Sequence, residues 1–203
     1  KELNATKDKL FSIIAHDLRS PFSNIIGLTE LILDKSIDFE ESEKHIEILN
    51  SSAKNTLILL DNLLNWAKSQ TGKLTFKPEK ILLSKVILEI IAINKIHAQA
   101  KKITINYFSS DEIKVYADEN MLRTVLRNLI SNAIKFTNTG GTISVFTILK
   151  HDHVEITVSD NGIGMNEIKR NALFKITSNT TMNGTANESG SGLGLVLCKE
   201  FVE

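Results

Sequence analysis

The sequence has little that cross-links or interrupts a chain: one cysteine, two prolines and one tryptophan in 203 residues. With Cys198 alone, neither an internal disulfide nor a cysteine-based zinc site can form, a usage compatible with a reducing compartment. Net charge is missing too, since 24 Lys and Arg balance 24 Asp and Glu. No global field therefore favours nucleic acid, an anionic membrane or an acidic partner, and any anion site has to be local. No apolar run approaches the roughly 18 to 20 residues that span a bilayer, and no signal-peptide pattern is present. Aromatic residues are not interleaved with basic ones as single-stranded nucleic acid would require. His151 and His153 alternate across a predicted hairpin while His45 and His97 stand alone on helices, so these four suggest no metal site. What remains is an ordinary 42% hydrophobic content, enough for one large domain or two small ones.

One of the two prolines is informative by its place. In FSIIAHDLRSPFSNIIGL, Leu10, Ile14, Leu18, Phe22, Ile25 and Leu28 repeat at helical spacing, yet Pro21 falls within the pattern. Proline in a helix interior costs roughly 3 kcal/mol or more. On a wheel of about 100° per residue, His16 lies opposite the apolar stripe and faces solvent, unlike a histidine satisfied in a core. Asp17 beside it can fix the imidazole tautomer and leave the other nitrogen nucleophilic. Pro21 frees the carbonyl of Asp17 and bends the helix just beyond the histidine.

Helical periodicity over residues 4–33 and again from Glu41 to Gln70, joined by a short polar connection, predicts an antiparallel hairpin. In the second run Ile46, Leu49, Ala53, Leu57, Leu60, Leu64 and Ala67 form a bundle seam. Such a hairpin has little core of its own, so the expectation is a four-helix bundle made with a second copy; a hairpin docked on the rest of its own chain competes. Gly72 and Pro78 break the pattern, giving a first domain at 1–72, a linker at 73–80 and a second domain at 81–203. The second reads as helix (about 84–100), strand, strand, helix (about 119–135), two strands, a short helix and a helix from about 193. That order predicts an α+β sandwich, a mixed sheet covered by helices. Residues 177–192 lack apolar anchors and are expected to form a mobile loop. The chain opens on Lys1 and stops inside an amphipathic helix, so both ends read as cut from something longer.

Three further patterns carry possible chemistry. In RNLISNAIKFT, Asn128, Asn132 and Lys135 share one helix face, where amide oxygens can ligate a hard cation such as Mg²⁺ and an ammonium can meet phosphate. Most such stripes are only the solvated side of a helix. In SDNGIGM, Asp160 ends a strand, and Gly162 and Gly164 permit close backbone approach, although an Asp-Asn-Gly turn is also an ordinary way to leave a strand. In GSGLGL, Gly190, Gly192 and Gly194 open a helix whose free N–H groups can cradle an anion. It is neither a Rossmann fingerprint, because no strand directly precedes it, nor a P-loop.

Taken in order, HDLRSP, NLISNAIKFT, DNGIG and GSGLGL resemble the sensor histidine kinases of two-component signalling, and the resemblance spans essentially the whole chain. It implies that the hairpin is a dimerisation and histidine-phosphotransfer domain and that the remainder is a catalytic ATP-binding domain of the gyrase and histidine kinase type. His16 would be the phosphoacceptor assisted by Asp17. Asn132 would ligate Mg²⁺, Asn128 would lie beside metal and phosphates, and Lys135 would contact phosphate. Asp160 would accept from the adenine amino group, with Gly162 and Gly164 shaping that wall. Gly190, Gly192 and Gly194 would close the nucleotide lid, and Phe174 would begin the phenylalanine box. The implied partners are a second copy of the chain and a response-regulator receiver domain, with no nucleic acid bound. A membrane would be reached only through flanking regions, leaving this portion cytoplasmic.

Three positions depart from the family pattern. Ser20 stands where the family most often has Thr or Asn, which bears on dephosphorylation of the partner. Thr177 replaces the second phenylalanine of the box, and the further strands expected after the glycine helix are absent, implying a C-terminal truncation. A hydrolytic ATPase of the same superfamily is disfavoured because it needs a glutamate base where Asn128 stands, and an amide cannot take a proton from water. A degenerate, nucleotide-binding dimeric scaffold is the other reading.

Overall fold

The computed structural model describes residues 18–19, 21–34, 39–71, 75–109, 112–174, 182–188 and 194–203. The chain divides into two compact units, Lys1–Gly72 and Lys73–Glu203.

In the first unit, residues 21–33 form helix α1 and Phe39–Gln70 form helix α2. Leu18, Ile25 and Leu28 are half-buried, whereas Phe22 of the predicted stripe is 52% exposed. Along α2 the half-buried positions His45, Leu49, Ser52, Thr56 and Leu63 repeat at bundle spacing on one face. Ile46, Leu57, Leu60 and Leu64 form an adjacent stripe and stay about half-exposed or more. His16, Asp17 and Ser20 lie outside the described residues, as does any bend at Ser20–Pro21.

The second unit is an α+β layer structure. Strand β1 (Glu79–Leu82) leads directly into α3 (Leu83–Ala100). Strands β2 (Thr104–Ser109) and β3 (Lys114–Ala117) follow, then α4 (Glu119–Phe136), β4 (Thr142–Leu149), β5 (Val154–Asp160), α5 (Glu167–Ala172) and α6 (Gly194–Val202). β2 runs parallel to β4, which pairs antiparallel with β5, while β1 pairs antiparallel with β3. The three-stranded sheet β2-β4-β5 is mixed, as expected, and β1 and β3 form a separate two-stranded sheet. The linker expectation of 73–80 is corrected at its end, because Glu79 and Lys80 already pair with Ala117 and Tyr116. A four-residue strand is too short to show its own alternation, and its pairing comes from β3.

Helices α3 and α4 cover one face of the sheet. Leu83, Ile87, Leu126, Ile130, Ile143 and Val145 are at most 1% exposed, each contributing roughly 1.5–3 kcal/mol by burial. Asp118 starts α4: Oδ1 accepts from Asn120 N (3.0 Å) and Met121 N (3.1 Å), satisfying helix-end donors. Its Oδ2 accepts from Lys77 N at 2.9 Å, which ties down the approach to β1.

Candidate functional site

Helix α4 organises the site. Leu126, Ile130, Ala133 and Ile134 face the core, so the helical period turns Asn128, Asn132 and Lys135, all half-buried, toward the other side. Three distant stretches meet this helix.

The first is the start of α6. A side chain at Gly194 would place its Cβ 2.8 Å from Asn128 Oδ1, so glycine lets the helix start lie against that amide without displacing it. Val196, Leu197 and Cys198 then bury themselves against α4. Asn128 Nδ2 is buried without a hydrogen-bond partner, whereas the Asn132 amide has none among the described residues and is only half-buried. Burial raises the Cys198 thiol from its ordinary value near 9 to about 11, against a lowering contribution from neighbouring Asn128.

The second is the DNGIG turn. Ile163 N donates to Phe136 O at 3.1 Å, and a Cβ on Gly162 would collide with that same carbonyl. Gly162 N donates to Asp160 Oδ1 at 2.9 Å, leaving the other oxygen of this exposed carboxylate uncommitted. Gly164 adopts φ of 62°, a conformation that glycine accepts freely.

The third is residues 182–188, inside the stretch expected to be mobile. Polar anchors meet these residues where the sequence offers no apolar ones: Thr185 N donates to Lys135 O (3.0 Å) and Thr185 Oγ1 to Thr137 O (2.7 Å). The anchors are polar, which is why a search for apolar ones missed them. Lys101, Thr185 and Glu188 therefore belong to the neighbourhood of Lys135 without any signal in the sequence motifs. Lys135 Nζ lies 4.9 Å from the Phe136 ring centre, and burial holds its ammonium below the usual lysine range against the opposing charge of Glu188.

Of the site residues expected from sequence, Asn128, Asn132, Lys135, Asp160, Gly162, Gly164 and Gly194 thus lie on α4 or on the elements meeting it. Gly190 and Gly192 lie outside the described residues, and Phe174 is 50% exposed after α5. No group of three or more His, Cys, Asp or Glu side chains that could hold a metal ion occurs among the described residues. A Mg²⁺ ion does not need such a cage, since it is commonly held by one or two protein oxygens together with substrate phosphates. The Asn132 amide oxygen can serve in such a set, whereas the orphaned Asn128 Nδ2 is a hydrogen-bond donor and suits an anion such as a phosphate oxygen. Among the described residues no helix is long and apolar enough to cross a membrane.

Comparison with known proteins gives two domains. Residues 6–72 match the family described as His Kinase A (phospho-acceptor) domain, and residues 117–203 match the histidine kinase-, DNA gyrase B-, and HSP90-like ATPase family. Hybrid signal transduction histidine kinase C of Dictyostelium discoideum is 34% identical over 208 residues, covering 99% of this chain and 17% of that protein. The chain spans 12–20% of the length of such curated relatives. Among solved structures, Acinetobacter baumannii histidine kinase AdeS shares the fold, with a TM-score of 0.70 at 19% identity over 92% of this chain and 85% of its own. Histidine kinase ThkA, solved in complex with the response regulator TrrA, gives 0.65 at 21% identity over 85% of this chain and 51% of its own.

Proposed function

The chain belongs to the sensor histidine kinases of two-component signalling, and on that premise we propose that it is a kinase core that phosphorylates itself on His16. The observation that carries the proposal is the convergence on α4: Gly194 against Asn128, the Gly162 turn on the Phe136 carbonyl, and Thr185 on the Lys135 carbonyl. Stretches far apart in sequence frame one helix face bearing two amides and an ammonium, which suits a nucleoside triphosphate.

In this reading the uncommitted oxygen of Asp160 accepts from the adenine amino group, and Lys135 meets the phosphates. Asn132 would hold Mg²⁺, with Asn128 beside the metal and phosphates; when bound, the ion supplies charge neutralisation at the phosphates. A nitrogen of His16 attacks the γ-phosphorus in line, the bond to the β,γ-bridging oxygen breaks, and ADP departs. Asp17 fixes the imidazole tautomer. The protein's contribution is positioning and electrostatics, and its nucleophile is one that ATP in water lacks. The phosphoimidazole then gives its phosphoryl group to a receiver aspartate, a partner suggested by the response regulator bound to ThkA. His16 and the nucleotide site belong to different units, so residues 73–78 must act as a hinge during the cycle.

The exposed stripe Ile46, Leu57, Leu60 and Leu64 supports a homodimer through the first unit. Attachment to a membrane-anchored sensor region, through sequence outside these residues, is part of the same proposal. Incubation with γ-labelled ATP and Mg²⁺ tests it. Acid-labile, alkali-stable label is expected on the protein and is lost in His16→Gln; release of labelled phosphate with no labelled protein would sink the proposal.

A further inference from the structure

The segment 182–188 is seated by polar bonds, and beside those of Thr185 to the Lys135 and Thr137 carbonyls the group that joins it to α4 is Lys101. Helix α3 ends in a turn in which Lys102 takes φ of 53° while Lys102 N and Ile103 N donate to Gln99 O (2.9 Å) and Ala98 O (2.8 Å). These are the two bonds of a Schellman stop, in which glycine is the usual left-handed residue. The turn directs Lys101 inward, leaving its side chain 9% exposed. Its ammonium reaches Ile134 O (2.8 Å), Lys135 O (3.0 Å), Thr185 Oγ1 (2.6 Å) and Glu188 Oε1 (2.9 Å). A buried ammonium is tolerated only with such a full set of acceptors. Two of them belong to the last turn of α4 and two to the segment, so one charge joins both.

The segment is shaped to receive it. Glu188 Oε2 accepts from Ala186 N at 2.8 Å, and Gly184 N donates to Glu188 O at 2.8 Å, closing a small loop around the carboxylate. A Cβ on Gly184 would lie 2.6 Å from Lys135 Cγ, so the bare backbone runs along the stem of Lys135.

We propose that Lys101 is a positioning residue for the nucleotide: by stapling residues 182–188 to the end of α4 through Glu188 and Thr185, it fixes the stem of Lys135 and so sets the affinity for ATP. This rests on the ATP reading above. Lys101 itself touches no reacting atom, so its effect belongs in binding and leaves the limiting rate of phosphorylation nearly unchanged.

The test is made on the 203-residue chain with Mg-ATP as the probe. Equilibrium dialysis gives Kd, and label incorporation gives KM and the limiting rate. Lys101→Met removes the charge and keeps the stem; Kd and KM are expected to rise about tenfold, the worth of roughly one charge-assisted hydrogen bond. Glu188→Gln, which keeps shape and loses charge, should raise both about threefold, and adding it to Lys101→Met should add little because the two act as one unit. Exchange of the Thr185 amide should quicken in each. Should Lys101→Met not fold, Glu188→Gln and Thr185→Val, which alter only the segment side, carry the same expectation. Unchanged affinity in these folded variants, or a fall in limiting rate at constant KM, overturns the staple. A wild-type chain that binds no Mg-ATP overturns the functional reading and the staple together, whereas unchanged variants of a chain that does bind overturn the staple alone.

Discussion

The two units bury their apolar residues differently. Among the described residues every buried hydrophobic side chain, from Ile81 to Cys198, belongs to the second unit. The first unit has at least as strong an apolar pattern, yet Phe22, Ile26, Leu33, Ile46, Leu57, Leu60 and Leu64 are each about half-exposed or more. A sheet with two covering helices can surround its own core; a helical hairpin presents more apolar surface than one neighbouring helix can cover. The difference teaches that the second unit assembles a core of its own, even with Ile93, Ile96 and Ile168 left exposed, whereas the apolar stripe of the first calls for something further to cover it. In the proposed function that something is a second copy.

Placing a charge in the exposed stripe should break this comparison most visibly. Leu60→Asp would put a carboxylate in each half of the proposed seam and forfeit roughly 1.5–3 kcal/mol of burial per copy. Sedimentation equilibrium should then show a dissociation constant raised by at least about a hundredfold, with nucleotide binding by the second unit intact. A wild-type chain that sediments as a monomer at high concentration would remove the basis for it. The opposite asymmetry is expected from Ile130→Ala in the second core, where a fully buried side chain leaves a cavity: a loss of roughly 2–5 kcal/mol in urea unfolding, with the oligomeric state unaltered. The smallest effect concerns Cys198. Its thiol titrates near 11 in the folded unit against about 9 when free, so the stability linked to it is fully present below pH 9 and fades as pH rises toward 11. Urea midpoints of wild type and Cys198→Ala measured across that window should converge upward in pH; parallel curves would contradict the burial effect.

Much of the architecture was legible because periodicity is a local property. The spans of α3, α4, β4 and β5 follow from apolar spacing, and Asn128, Asn132 and Lys135 share a face by helix geometry alone. Less legible were features whose cause lies in a distant partner. β1 hid in the linker because four residues carry no period, and its pairing is supplied by β3. Residues 182–188 read as unanchored because their anchors are carbonyls, a hydroxyl and one ammonium, none of which gives a hydropathy signal.

Local placement, therefore, was legible in the sequence itself: amides and a lysine at helical spacing, glycines where backbones must approach. Only tertiary structure decided what those glycines approach, since a missing Cβ says that something must come close and not what. It also decided that Lys101 is a buried staple and not one more solvated lysine. The residues it joins, Ile134, Lys135, Thr185 and Glu188, lie between 33 and 87 positions away. No pattern within one helix can specify a charge whose acceptors are assembled by the fold.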